Sequence, residues 1–289
     1  GVVRDGHVLH RAGYGLANRE WRSPVDPATV FGLGSLTKPF TALAVLHLVA
    51  AGRLDLDAPL TTYLPDYPPT GQAISLAHLL THTSGIPNFV TRTPDWWQHA
   101  ARLDYSGAQL RALFDGLPLE FPPGTCYSYS NSGYCLLGMV VEAVTGSPFA
   151  DAVSAAILAP LGMQSSGFFD DQRILPRLAG AYQQDDAGTF ERAPYVSPTV
   201  LYAAGGLAAS LDDLLRWDAA VRARSLLPAD LWIRMWAPVR LADGRTAGYG
   251  FGWGLSDFRG HRVVHHAGGI PGYSSFYGRF VDDDLALII

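Results

Sequence analysis

A chain of 289 residues, 48% hydrophobic and 16% charged, has the make-up of one large or two coupled globular domains, which excludes a disordered chain. The formal net charge is −5 and no basic run occurs, which argues against a nucleic-acid partner. Of the 21 basic residues, 20 are arginine and one, Lys38, is lysine; only the lysine can lose its proton on burial.

The chain opens with Gly1-Val2-Val3-Arg4, then Asp5-Gly6, then Val8-Leu9, a hairpin pattern whose second strand is expected to run to about Ala17. Ser35 follows Gly34 and reads as the N-cap or first turn of a helix that continues through Phe40 to Leu46. That helix is apolar nearly all round and therefore buried, and Pro39 is tolerated near its start. Its most apolar run, 42–51, carries His47 and is too short to span a bilayer. From about Tyr63 to Val200, helical segments alternate with Pro/Gly loops. The expected helices are 76–81, 96–102, 108–114, 134–144 and 149–158, with Gly146 and Pro160 as stops, and a further one at 212–221.

Strands are then expected at 249–255, 262–267, 273–281 and 285–289, with Asp282-Asp283-Asp284 as a hairpin turn. Strands at both ends around a helical middle predict an α/β (α+β) fold: a sheet domain from 1–62 and 200–289, with an all-helical domain, 63–199, inserted. Both ends fall inside strand-like sequence, so segments are expected to be missing at each end. No secretory signal pattern is present, which leaves a cytoplasmic or a secreted or periplasmic location open. Cys126 and Cys135 are too few for a Cys-rich metal site or a disulfide scaffold and are expected to be two buried thiols, with a mutual disulfide as the lesser alternative.

Three short patterns carry chemistry. Ser35-Leu36-Thr37-Lys38 places a hydroxyl and an amine one helical turn apart, on one face. A neutral amine there could take the serine proton, which requires the Lys38 pKa to fall from about 10.4 towards 7, roughly 4–5 kcal/mol. The bland alternative is a capping serine beside a snorkelling surface lysine. Tyr129-Ser130-Asn131 lies in a loop ahead of a helix beginning near Tyr134; its phenol could relay a proton, and its amide could hold Lys38 and a substrate. It could equally be a Pro/Gly-rich turn that carries aromatics. His266-Ala267-Gly268-Gly269 has little weight alone, although a Gly-rich strand lets a substrate backbone approach closely.

Other patterns are weaker. His78 and His82 are four apart but lack a third ligand, so no metal is expected. The 248–254 glycine run lacks the setting of a phosphate loop and reads as a closely packed strand. No G-x-S-x-G nucleophile elbow occurs.

In their order and surroundings these motifs resemble the serine β-lactamase-like superfamily, close to class C β-lactamases, DD-peptidases, family VIII carboxylesterases and the CubicO-type group. The resemblance spans nearly the whole chain. It runs from Gly34-Ser35-Leu36-Thr37-Lys38 through Leu79-Leu80-Thr81-His82-Thr83-Ser84-Gly85, and then Pro122-Pro123-Gly124 with Tyr129-Ser130-Asn131. Pro160-Leu161-Gly162-Met163, Gly205-Gly206-Leu207 and His266 to Gly272 follow.

The resemblance implies an antiparallel sheet flanked by helices and packed on a helical domain, with the site in the cleft between. By position, Ser35 is the implied acylated nucleophile, Lys38 and Tyr129 share the base work, and Asn131 anchors substrate and Lys38. His266, Gly268 and Gly269 line the substrate, with the N–H groups of Ser35 and Gly269 as the oxyanion hole. No cofactor is implied.

The third motif departs from the β-lactamase K-T-G. His266 is largely neutral at pH 7, and Ala267 lacks a hydroxyl for a substrate carboxylate. The resemblance therefore implies an esterase or amidase for small uncharged acyl substrates, with a small-molecule ester, amide or β-lactam as partner. A DD-peptidase or β-lactamase is the rival of the same class, and a non-catalytic ligand-binding or sensor domain the rival of another. Trp96, Trp97, Phe89 and Tyr202 are possible pocket linings, although core packing is the commoner role for aromatics. Oligomeric state is left open.

Overall fold

The computed structural model describes residues 1–92 and 95–289. Its main sheet has six strands in the spatial order Gly254–Phe258, His261–Ile270, Tyr273–Phe280, Leu285–Ile288, Val2–Arg4 and His7–His10. Every neighbouring pair is antiparallel. Asp5 and Gly6 both have positive φ, the conformation a two-residue hairpin needs, and they set Arg4 opposite His7. The expected hairpin is therefore present, but its second strand ends at His10 rather than near Ala17. Residues Leu16–Asn18 instead pair separately with Ser23–Pro24.

Nine helices position the site. They are α1 (Lys38–Ala50), α2 (Leu76–Leu80), α3 (Phe89–Arg92), α4 (Gly107–Ala112), α5 (Asn131–Thr145), α6 (Phe149–Val153), α7 (Pro198–Gly205), α8 (Leu211–Ala223) and α9 (Ala229–Met235), counted among the described residues. Residues Lys38 to Leu46 of α1 are all buried, as an all-apolar helix should be. Gly146, left-handed at φ 71°, closes α5 as expected.

Several expectations need correcting. The helix expected at 134–144 begins at Asn131, because Ser130 is extended and α5 winds immediately after it. The 96–102 segment holds only a short 3₁₀ turn, Ala100–Arg102; Asp95 at positive φ and His99 in a non-helical conformation break the pattern. The 149–158 helix is α-helical only to Val153 and then widens to a π turn over Ser154–Leu158. The strand expected at 249–255 begins at Gly254. Gly250 lies against the Met235 carbonyl, where a Cβ would sit 2.2 Å away, so the alternating glycines serve close packing rather than a ladder. Cys126 is exposed and only Cys135 is buried; both are free thiols, so the expectation of two buried thiols fails for Cys126.

The core joins sheet to helices through stacked aromatics. Trp217 of α8 stacks on Phe40 of α1 at 4.5 Å and on Trp253 at 5.5 Å, and meets Tyr277 edge-on at 4.9 Å. Beside them Asp218, 1% exposed, accepts hydrogen bonds from Tyr277 Oη at 2.6 Å and from Arg279 Nη1 at 2.8 Å; Arg279 also pairs with Asp284. Among the described residues no single helix is long and apolar enough to cross a membrane.

Removing one member of a buried ion pair strands the other. Asp218→Ala should therefore destabilise the fold by about 3–5 kcal/mol, read as the shift in urea-unfolding free energy. A loss below about 1 kcal/mol would show that Arg279 is held adequately by Asp284 alone.

Candidate active site

The site begins with a short 3₁₀ turn, Gly34–Thr37, that runs directly into α1. This turn is pressed against the His261–Ile270 strand. A Cβ on Gly34, whose φ is +52°, would lie 2.8 Å from the Gly269 nitrogen, and one on Gly268 would lie 1.8 Å from the Leu33 carbonyl oxygen. Only glycine permits this approach. Ser35 is half-buried at the surface of the turn, while Lys38 is fully buried behind it.

Lys38 Nζ has three neighbours. Ser35 Oγ is at 3.2 Å, Asn131 Oδ1 at 2.8 Å and the Ala204 carbonyl at 2.8 Å. Burial lowers the Lys38 pKa to about 7, with the nearby Cys135 sulfur opposing the shift. That thiol is itself pushed up to about 12 by burial, so it supplies no counter-charge at neutral pH. A neutral amine has two N–H bonds and one lone pair. The Asn131 and Ala204 oxygens take the two N–H groups, which leaves the lone pair facing the Ser35 hydroxyl.

Two features that sequence reasoning missed set this geometry. Asn131 is held by Asn88, whose Oδ1 accepts from the Asn131 backbone N–H at 3.3 Å and from its side-chain amide at 3.4 Å. With the amide nitrogen so engaged, Oδ1 is turned toward Lys38. The Ala204 carbonyl comes from α7, which breaks at Tyr202 (φ 36°, ψ −132°), a conformation costly for a bulky residue. Neither could be read from spacing, because both lie far from Lys38 in the chain.

Tyr129 packs its ring 4.8 Å from Lys38 Nζ. Burial raises its pKa, with the Ser35 hydroxyl partly offsetting, so the phenol stays protonated at neutral pH. His266 is buried, and its Nε2 lies 2.9 Å from Tyr249 Oη while Nδ1 lies 2.6 Å from the Ala267 carbonyl. The carbonyl can only accept, so Nδ1 carries the proton and Tyr249 donates to Nε2. Burial first, then the Lys38 charge, lowers the His266 pKa to about 3. The imidazole is neutral across the physiological range, in agreement with the expectation from its unperturbed pKa.

The structure thus brings Ser35, Lys38, Tyr129, Asn131 and His266 together. Gly268 packs against Leu33, whereas a Cβ on Gly269 would meet nothing within 4 Å. His78 and His82 do not converge on a common point: each spends Nδ1 on a backbone N–H, of Ser75 and Ser130 respectively. No group of three metal-ligand side chains gathers among the described residues.

A cleft of about 50 Å³ opens beside Ser35, Asn131 and Gly269, walled by Phe89, Trp96, Trp97 and Ile270. None of its described lining residues is charged. Tyr202, the fourth aromatic considered, is not part of this wall; its ring packs 5.4 Å from Phe149. Leu201 and Ile270 are shared with a larger neighbouring cavity of about 430 Å³.

The sequence profile of the family described as Beta-lactamase matches residues 1–289. The chain is 35% identical to Esterase EstB of Burkholderia gladioli, covering 100% of this chain and 83% of that protein. It is 31% identical to a D-aminopeptidase of Gluconobacter oxydans, covering 100% and 54%. The crystal structure of a penicillin-binding protein from Bacillus halodurans superposes with a TM-score of 0.88 at 28% identity, covering 99% of this chain and 88% of that one. Against several other curated relatives, the chain spans about half to two thirds of their length.

Because Lys38 is the chain's only lysine, isotope-labelled lysine reports this one side chain. The Lys38 Nζ resonance should titrate with a midpoint near pH 7. A midpoint near the ordinary value of about 10.4 would mean that water or a counter-charge reaches the amine.

Proposed function

Since the chain belongs to the Beta-lactamase family along residues 1–289, we propose that it is a serine hydrolase that forms an acyl-enzyme on Ser35 and cleaves esters and amides of small, uncharged acyl groups. The observation that carries this reading is the Lys38 amine, fully buried, with its pKa near 7 and its lone pair left for the Ser35 hydroxyl 3.2 Å away. In this reading Ser35 Oγ attacks the acyl carbon as its proton passes to Lys38 Nζ. The carbonyl oxygen becomes an oxyanion between the N–H groups of Ser35 and Gly269. Collapse breaks the bond to the leaving group, which takes a proton from the Tyr129 hydroxyl, and Lys38 restores that proton. Water then repeats the attack on the acyl-serine ester.

Lys38 suits the base role better than Tyr129. A phenol whose pKa is raised is protonated at pH 7 and can donate but not accept, whereas an amine near 7 can do either. The uncharged, aromatic cleft wall and the neutral His266 favour an acyl group without a carboxylate. The names of the relatives, an esterase and a D-aminopeptidase, support ester and amide bonds as the target. A DD-peptidase or β-lactamase activity is the second reading, favoured by the likeness to a penicillin-binding protein. Against it stand the neutral His266 and the missing hydroxyl at Ala267.

Short p-nitrophenyl esters should be hydrolysed faster than a cephalosporin, and a slow phosphonate ester should add one adduct to Ser35, seen by intact mass and absent in Ser35→Ala. Preferential turnover of the cephalosporin would move the assignment to the second reading, and no adduct with any acyl donor would favour a sensor. Lys38→Arg cannot act as a base, so kcat/KM should fall by about 10³-fold or more, and its permanent charge, buried without a counter-charge, should also lower Tm. Because the base must be neutral, kcat/KM should rise with pH through about 7 and fall about tenfold per unit well below it.

A further inference from the structure

His82 follows α2 and has a left-handed backbone, φ 57°, which turns its ring into the interior, where it is 1% exposed. The segment carrying Tyr129 runs beside it and is tied to it on both sides of the tyrosine. The Ser128 backbone N–H donates to the His82 carbonyl at 2.9 Å, and the Ser130 backbone N–H donates to His82 Nδ1 at 3.1 Å. Between these two bonds the Tyr129 ring lies 4.3 Å from the His82 ring, centroid to centroid. Tyr134 and Tyr249 close the other sides of the imidazole at 5.0 and 4.8 Å. One residue therefore ties the main chain before and after Tyr129 and packs against its ring.

We propose that His82 is a positioning residue that clamps Tyr129 against Lys38 in the site, through the acceptor Nδ1 and the packing of its ring. This rests on the reading of Tyr129 as a proton-transfer group. The clamp requires Nδ1 to present a lone pair to Ser130, so the ring proton sits on Nε2, which is buried and has no hydrogen-bond partner. Burial, aided by Lys38 when it is protonated, keeps the imidazole neutral and so preserves that acceptor. A buried N–H left without a partner is a destabilising feature. The position could be filled more cheaply by an apolar ring if packing were the sole requirement. The Nδ1 contact to the chain at Tyr129 is what an apolar ring would lose.

The test compares His82→Phe, which keeps a ring and removes the acceptor, with His82→Asn, which restores an acceptor near the Nδ1 position and tolerates the left-handed backbone. Both are assayed on p-nitrophenyl esters, per active site counted from the p-nitrophenol burst. His82→Phe should lower kcat by about 10- to 100-fold, the scale for a displaced catalytic group, with KM changed less than about threefold. His82→Asn should recover at least half of that loss on a logarithmic scale. On a Tyr129→Phe background, His82→Phe should change kcat by less than about twofold, because the group it positions is gone.

Unchanged kcat in His82→Phe, no recovery in His82→Asn, or an additive loss on the Tyr129→Phe background would each overturn the clamp. If His82→Phe does not fold, His82→Ala replaces it under the same criteria. Full activity in Tyr129→Phe would overturn both the clamp and the proton-transfer reading of Tyr129. An impaired Tyr129→Phe beside an unaffected His82→Phe would overturn the clamp alone.

Discussion

Burying the amine of Lys38 without a counter-charge is the constraint from which the rest of the site follows. Lowering a lysine from about 10.4 to about 7 corresponds to roughly 4–5 kcal/mol of differential interaction, set against the protonated form. A carboxylate beside it would favour the ammonium. The pocket instead supplies two neutral carbonyl oxygens, enough to satisfy the N–H bonds of an amine. Each oxygen needs support of its own: Asn88 turns the Asn131 amide, and the break at Tyr202 turns the Ala204 carbonyl.

The same constraint explains why the surrounding polar groups are uncharged at neutral pH. His82 and His266 are buried and neutral, and Lys38, when protonated, would further oppose their charging. Tyr129, Tyr134 and Tyr249 all have raised pKa values from burial. Such a site keeps Coulomb interactions strong, so a small change of charge on Ser35 or on a substrate oxygen is felt fully. The Asp218–Arg279 ion pair, buried between sheet and α8, serves the contact of these two elements instead.

The parts of the fold that were legible in advance are those fixed by near neighbours in the chain. Asp5-Gly6 specifies a tight turn by its own backbone preference, and the hairpin is where expected. Gly146 ends α5 for the same kind of reason. Where the reading failed, contacts from elsewhere had overridden the local pattern. The alternating glycines of 248–254 imitate a strand, yet Gly250 is there because the Met235 carbonyl needs its space. Short, buried α7 carries little periodicity because it has little polar face to show.

In the site, the three-residue spacing of Ser35 and Lys38 sets a hydroxyl and the chain's only lysine amine one turn apart at the start of a buried helix, because that spacing is local geometry. The sequence also carried Tyr129, Asn131 and His266 as an ordered set, through their resemblance to a family. Only the closed chain lowers the pKa of the amine to about 7, places Ser35 Oγ, Asn131 Oδ1 and the Ala204 carbonyl around it, and ties the chain on both sides of Tyr129 to His82. These depend on desolvation and on partners 93 and 166 residues from Lys38, and 48 residues from His82, along the chain. Whether an amine is charged is a property of everything packed around it, and that packing exists only once the chain has closed.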